Sequence, residues 1–198
     1  MLMIRLECLL KIERFIWFLF FASLVACAPR AIPTNFHDPE MDFASLRTVA
    51  VMPFQNLTRD QMAGERVTDT FATTLLSTGA VYVLPSGEVG RAISRAGLAD
   101  PSAPSMEEIV KLAGFIKVDA VITGVVNEYG EVRSGTASAN VIAVSTQMIE
   151  LQTRKIVWAA STSKGGITIW DRLLGSGGEP MNDVTRAAVD DLIDKLFR

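Results

Sequence analysis

An apolar run from Phe15 to Ala26 stops at Cys27, and this junction limits what the rest of the chain can fold into. The basic residues Arg5, Lys11 and Arg14 precede the run. It is too short to cross a bilayer, which takes about 20 apolar residues, and has the length of the apolar part of a secretory signal peptide. Small residues sit just before the break, as a signal peptidase requires. Residues 1–26 therefore read as a signal peptide, with Met1 or Met3 as its start. The chain has two cysteines, Cys8 and Cys27. Cys8 leaves with the leader, so the exported chain begins on its one thiol. Neither an internal disulfide nor a Cys-rich metal site can then staple the fold. An apolar core alone has to hold residues 46–198 together, and their length suits a single domain.

Charge narrows the function. The 198 residues carry 19 basic and 22 acidic groups, a net charge of −3. Loss of the leader, with Arg5, Lys11 and Arg14 but also Glu7 and Glu13, leaves the mature part slightly more acidic. Phosphate binding needs a basic patch, and no run of lysines or arginines exists, so nucleic acid is not the expected partner. Residues 27–45 read as a tether, punctuated by Pro29, Pro33 and Pro39 and lacking an apolar period. The sole histidine, His37, stands here beside Asp38 and Glu40 and reads as a solvated linker residue rather than a metal ligand.

From residue 46 the chain becomes periodic. Thr48 to Phe54 is a short β-branched run, a buried strand with Pro53 at its exit. Val67, Phe71 and Leu75 recur at helical spacing within Gly64–Thr78, with Gly79 as the stop. Val81–Leu84 is a strand. Ser86 is placed to cap a helix from Glu88 to Ala96, ended by Gly97. Ser105 and Glu108 have capping-box spacing and open a helix to Gly114. Ala120–Tyr129 and Asn140–Leu151 read as strands, the latter as the longest and as central, since both its faces are half apolar. Gln152-Thr153-Arg154 is a tight link to a strand at Lys155–Thr162, so this pair is antiparallel. Asp183–Phe197 is an amphipathic helix. The expected fold class is α/β, with helices packed on a mixed sheet and the order β-α-β-α-α-β-β-β-α.

Four local patterns resemble known ones. Leu24-Val25-Ala26-Cys27 resembles the bacterial lipobox, which implies a diacylglycerol and an N-linked acyl chain such as palmitate on Cys27. Ala28 in the next position implies outer-membrane rather than inner-membrane residence. Val49-Ala50-Val51-Met52-Pro53-Phe54-Gln55-Asn56, Asp119-Ala120-Val121-Ile122-Thr123-Gly124 and the Met148–Trp158 hairpin together resemble the TolB-N-like and CsgG-like (curli secretion channel) lipoproteins. The peptidoglycan-synthase activator LpoB is similar in the same way. In the channel family, two long hairpins assemble a pore. Here the candidate inserts are Gly130–Ala139, which is short, and Lys164–Asn182, which is glycine-rich and does not alternate, so neither reads as a barrel hairpin.

Catalysis finds no support in the residues. Acid–base or nucleophilic chemistry needs a base near a nucleophile. The histidine lies in the tether, the cysteine is the anchor, and the remaining carboxylates Asp119, Glu128, Glu131 and Glu150 read as structural or solvated. No phosphate-binding glycine motif is present. The sharpest local feature is the glycine-flanked segment with Ile169, Trp170, Arg172, Leu173 and Leu174. Trp and Arg are favoured in interface hot spots, so these residues are the candidate partner contacts. The sequence thus points to a non-enzymatic lipoprotein without a cofactor, anchored through Cys27 at the periplasmic face of the outer membrane. It would act as an accessory or assembly factor of an envelope or secretion machine, contacting a protein partner or its own copies. A CsgG-like channel component and an LpoB-like synthase activator are the alternatives.

Overall fold

The computed structural model describes residues 34–135, 137–167 and 178–198. In chain order the elements are β1 (Asn35–His37), a 3-10 turn (Phe43–Ser45), β2 (Thr48–Val51), β3 (Gln55–Asn56), α1 (Ala63–Ser77), β4 (Tyr82–Val83), α2 (Ser86–Ala96), α3 (Met106–Ala113), β5 (Ala120–Ser134), β6 (Ala137–Glu150), β7 (Ile156–Gly165) and α4 (Met181–Phe197). The strands form one mixed sheet in the order β1-β7-β6-β5-β2-β4, with β3 also on β5. β4, β2 and β5 are parallel, while β5, β6, β7 and β1 are antiparallel. The α/β class and the mixed sheet are as the sequence implies, with β1 and β3 added to the expected order.

Alternation along the strands fills two cores. Val49 and Val51 of β2, Ile122 of β5 and Ile142, Val144 and Met148 of β6 face α1 and α4, which contribute Phe71, Leu75, Ala188 and Leu192. Ala50, Met52, Val121 and Ile149 point the other way, onto Val89 and Ala92 of α2 and Ile109 and Leu112 of α3. A strand buried on both faces reads as a continuous apolar run, and β2 does. The second layer covers only the parallel end of the sheet. Beyond it, Val141, Ala143, Ser145 and Gln147 of β6 stay half-exposed.

Two glycines set the packing around β2. A Cβ on Gly64 would lie 2.8 Å from the Phe54 carbonyl oxygen, so glycine lets α1 close onto the β2–β3 link. A Cβ on Gly124 would sit 2.7 Å from the Phe54 ring, which occupies that space instead. Pro53 falls in the break between β2 and β3, where the missing N–H leaves no ladder bond unmade.

Several expectations are corrected. The sheet reaches back to Asn35, into the stretch read as tether. β1 is an edge strand paired only with β7, so it carries little apolar signal of its own. His37 is not solvated linker: its Nε2 donates to the Leu196 carbonyl at 3.2 Å, and its ring meets Phe43 edge-on at 5.4 Å. Ser86 is not a cap. The helix already starts there, behind Pro85, whose φ of −56° suits a helix entry. β5, with 15 residues, is longer than β6, with 14. The supposed insert Gly130–Ala139 is in fact the far part of the β5–β6 hairpin, whose strands stay paired as far as Ser134 and Ala137.

Candidate protein-interaction surface

Cys27 and the proposed contacts Ile169, Trp170, Arg172, Leu173 and Leu174 lie outside the described residues. The flanks of the second group are placed. Gly166 N–H donates to the Asn140 carbonyl and Gly178 N–H to the Ser138 carbonyl, so the chain leaves and rejoins the outer edge of β6. Asn140 Nδ2 fastens the return through the Glu179 carbonyl at 2.8 Å.

The four carboxylates singled out in sequence are not brought together as an acid–base pair. Asp119 Oδ2 accepts from the Arg47 and Thr48 N–H groups, both at 2.8 Å, and so ties the start of β2 to β5. Glu150 is buried and accepts from the Gln152 and Thr153 N–H groups and the Thr153 hydroxyl. Burial works against its ionisation, but these bonds outweigh it and hold the carboxyl below its usual range. Its task is to fix the β6–β7 turn, where Arg154 takes a φ of +60°. Glu131 pairs with Arg133 two residues along the same strand, at 2.8 Å. Glu128 follows the bulge at Asn127 and is exposed. Among the described residues no group of three or more His, Cys, Asp or Glu is arranged to hold a metal ion.

What the fold does assemble is a crevice at the carboxyl end of β2. The chain leaves β2 toward one side of the sheet for α1, and leaves its parallel neighbour β4 toward the other side for α2. The gap between the ends of these two strands is therefore a topological switch point, the place where open α/β sheets form crevices. The crevice holds about 230 Å³. Val51, Phe54 and Val89 form its apolar floor, and Glu65 and Asp69, one turn apart on α1, stand on its rim. Thr68 fixes the wall: its hydroxyl donates to the Gly64 carbonyl at 2.7 Å and accepts from the Phe54 N–H at 2.9 Å. Neither Glu65 nor Asp69 has an ion-pair partner among the described residues. Asp69 also borders a polar groove toward Arg186 and Asp190 of α4 without pairing there.

The opposite side of α2 differs in character. Glu88, Arg91, Ala92 and Arg95 share that side by helical period and border a hollow with Phe115 and Ile116. Phe115 is 46% exposed, and the two arginines have no ion pair among the described residues. A helix tracing of Val67, Phe71 and Leu75 implies that Glu65 and Asp69 face outward. That they border a crevice follows only from tertiary packing, and no local signal in the sequence carries it.

The fold is that of a single mixed α/β domain, and the chain belongs to the GNA1162-like lipoprotein family, whose model matches residues 40–194. The expected bacterial lipoprotein class is thereby found. Lipoprotein GNA1162 from Neisseria meningitidis has a similar structure, with a TM-score of 0.57 and 18% identity over 76% of this chain and 98% of that one. The PelC dodecamer from Paraburkholderia phytofirmans is similar at a TM-score of 0.52 and 18% identity, over 82% of this chain and 94% of that one. At such identities the likeness is one of fold. No curated protein matches the chain in sequence.

Proposed function

We propose that this chain is an envelope lipoprotein that works through protein contacts, without catalysis or a cofactor, as an accessory or assembly factor. Its signal peptide is residues 1–26. Cys27 carries the lipid, and the periplasmic face of the outer membrane is its place. The observation that carries this reading is membership of a lipoprotein family over residues 40–194, with Cys27 a short distance upstream at the end of an apolar run. Self-association belongs to the proposal, because the similar PelC is a dodecamer. The apolar segment with Ile169, Trp170, Arg172, Leu173 and Leu174 is proposed as a further contact with the envelope partner.

A channel of the CsgG-like kind is less favoured. Past the bulge at Asn127, the hairpin arms 128–134 and 137–143 fall short of the ~9–11 residues of a membrane-spanning strand.

The test is to follow the full chain and Cys27→Ser in a Gram-negative host with labelled palmitate. The wild type should take label and sediment with outer membrane. The variant should take none, and either accumulate unprocessed or appear in the soluble periplasm. A processed variant that still fractionates as an outer-membrane protein would refute the anchor.

A further inference from the structure

We propose that copies of this chain associate head to tail, the Arg91–Arg95 side of α2 on one copy seating in the α1–α2 crevice of the next. The proposal rests on the self-association reading above and names its contact. The crevice is apolar within and acidic at its rim, through Glu65 and Asp69. The other side of α2 is its complement: two arginines around a half-exposed aromatic, Phe115. Glu88 shares that side and leaves it net positive. A long guanidinium side chain suits such a receptor, since its stem can lie on apolar surface while its head forks onto a carboxylate. Arg and large aromatic residues are also those that most often anchor interfaces.

The arrangement of the two surfaces fixes the symmetry. On α2, Ser86, Val89, Gly90 and Ile93 face the crevice, while Glu88, Arg91, Ala92 and Arg95 face away from it. One copy therefore cannot satisfy both of its own surfaces. A twofold pair would have to present both sides of one helix to the same partner. Repeating the contact from copy to copy avoids this, and such heterologous contacts close into rings or run on as filaments.

Charge reversal tests it on the full chain in detergent, with assembly mass read by light scattering and native mass spectrometry. One variant carries Glu65→Arg with Asp69→Arg, the other Arg91→Glu with Arg95→Glu. All four side chains are exposed, so the fold should tolerate both variants. The wild type should be oligomeric, and each variant alone should weaken assembly at least tenfold, because like charges then meet at every contact. Mixed in equal amounts, the two variants should reassemble as alternating copies, since each contact regains opposite charges. The milder pair Asp69→Lys and Arg95→Glu should show the same pattern at smaller size. A monomeric wild type overturns both this contact and self-association. An oligomeric wild type whose mass neither variant changes, or variants that fall apart and fail to recombine, overturn this contact and leave self-association standing.

Discussion

Asp191 sits between two ammonium groups. Lys164 Nζ is 3.0 Å from one carboxylate oxygen, a pair that joins β7 to α4, and Lys195 Nζ, one turn along α4, is 2.6 Å from the other. Lys195 also donates to the Ser161 carbonyl at 2.9 Å. Partial burial opposes ionisation of Asp191, but hydrogen bonds from Lys195, Thr162 and Lys164 prevail and bring its pKa down to about 2. An aspartate in the unfolded chain titrates near 3.9, so the folded form holds its proton less tightly. The resulting stabilisation is present above about pH 4 and is lost as pH falls through about 2. Asp191→Asn should cost about 1–2 kcal/mol at neutral pH, with the gap between variant and wild type closing below pH 4. Urea denaturation of both proteins at stepped pH would check this. A gap that does not change with pH would show that Asp191 acts by packing rather than by charge.

At the level of elements, α3 shows what a local signal can do. The Ser105 hydroxyl accepts from the Glu108 N–H at 3.3 Å, and the Glu108 carboxylate accepts from the Ser105 N–H at 2.8 Å. Ser105→Ala should destabilise the protein by about 1 kcal/mol, seen as a lower urea midpoint at an unchanged slope. This box is legible in sequence because both partners lie within four residues. The stripe of α4 is legible for a like reason: one helix face reports its own burial through Val184, Ala188, Leu192 and Leu196. The far half of the β5–β6 hairpin is not. Gly130, Glu131, Arg133 and Ser134 read as loop, and only their pairing with residues 137–141 makes them strand. β1 fails the same way, since Asn35-Phe36-His37 has no alternation and is held by hydrogen bonds to β7. The crevice is further still from local pattern. Glu65, Asp69, Arg91 and Arg95 look like ordinary solvated helix faces until α1 and α2 are set on opposite sides of β2.

In the whole molecule, the helical layers are unequal. α1 and α4 reach across the sheet toward β7, while α2 and α3 cover only the β2–β5–β6 end. The parallel part is consequently enclosed on both sides, as parallel sheets are, and the antiparallel part keeps one open face. The contact proposed between copies uses the two sides of α2, within the layer that covers only part of the sheet. The two proposed contacts use different residues, so each can be altered without the other. Trp170→Ala with Leu173→Ala should leave the oligomeric mass unchanged while weakening capture of the envelope partner from crosslinked cells. A fall in oligomeric mass would instead place that segment at the contact between copies.

Strand β1 sets a length. If Cys27 carries the proposed lipid, residues 28–34 separate the bilayer from the sheet that begins at Asn35, a reach of at most roughly 25 Å at ~3.3–3.6 Å per residue. Were the chain free as far as Leu46, the leash would measure roughly 65 Å. On the proposed anchor the domain would be moored rather than trailing, and whatever it helps to build would have to come to the membrane. Releasing β1 and the Phe43–Ser45 turn would lengthen the leash toward the larger figure, at the cost of the contacts that Met41 and Phe43 make with the core under α1 and α4. Phe36→Pro should favour the longer state, because the register pairs Phe36 with Ala159 and proline removes the donor. Distance between a bilayer dye and a label on α3 would report it.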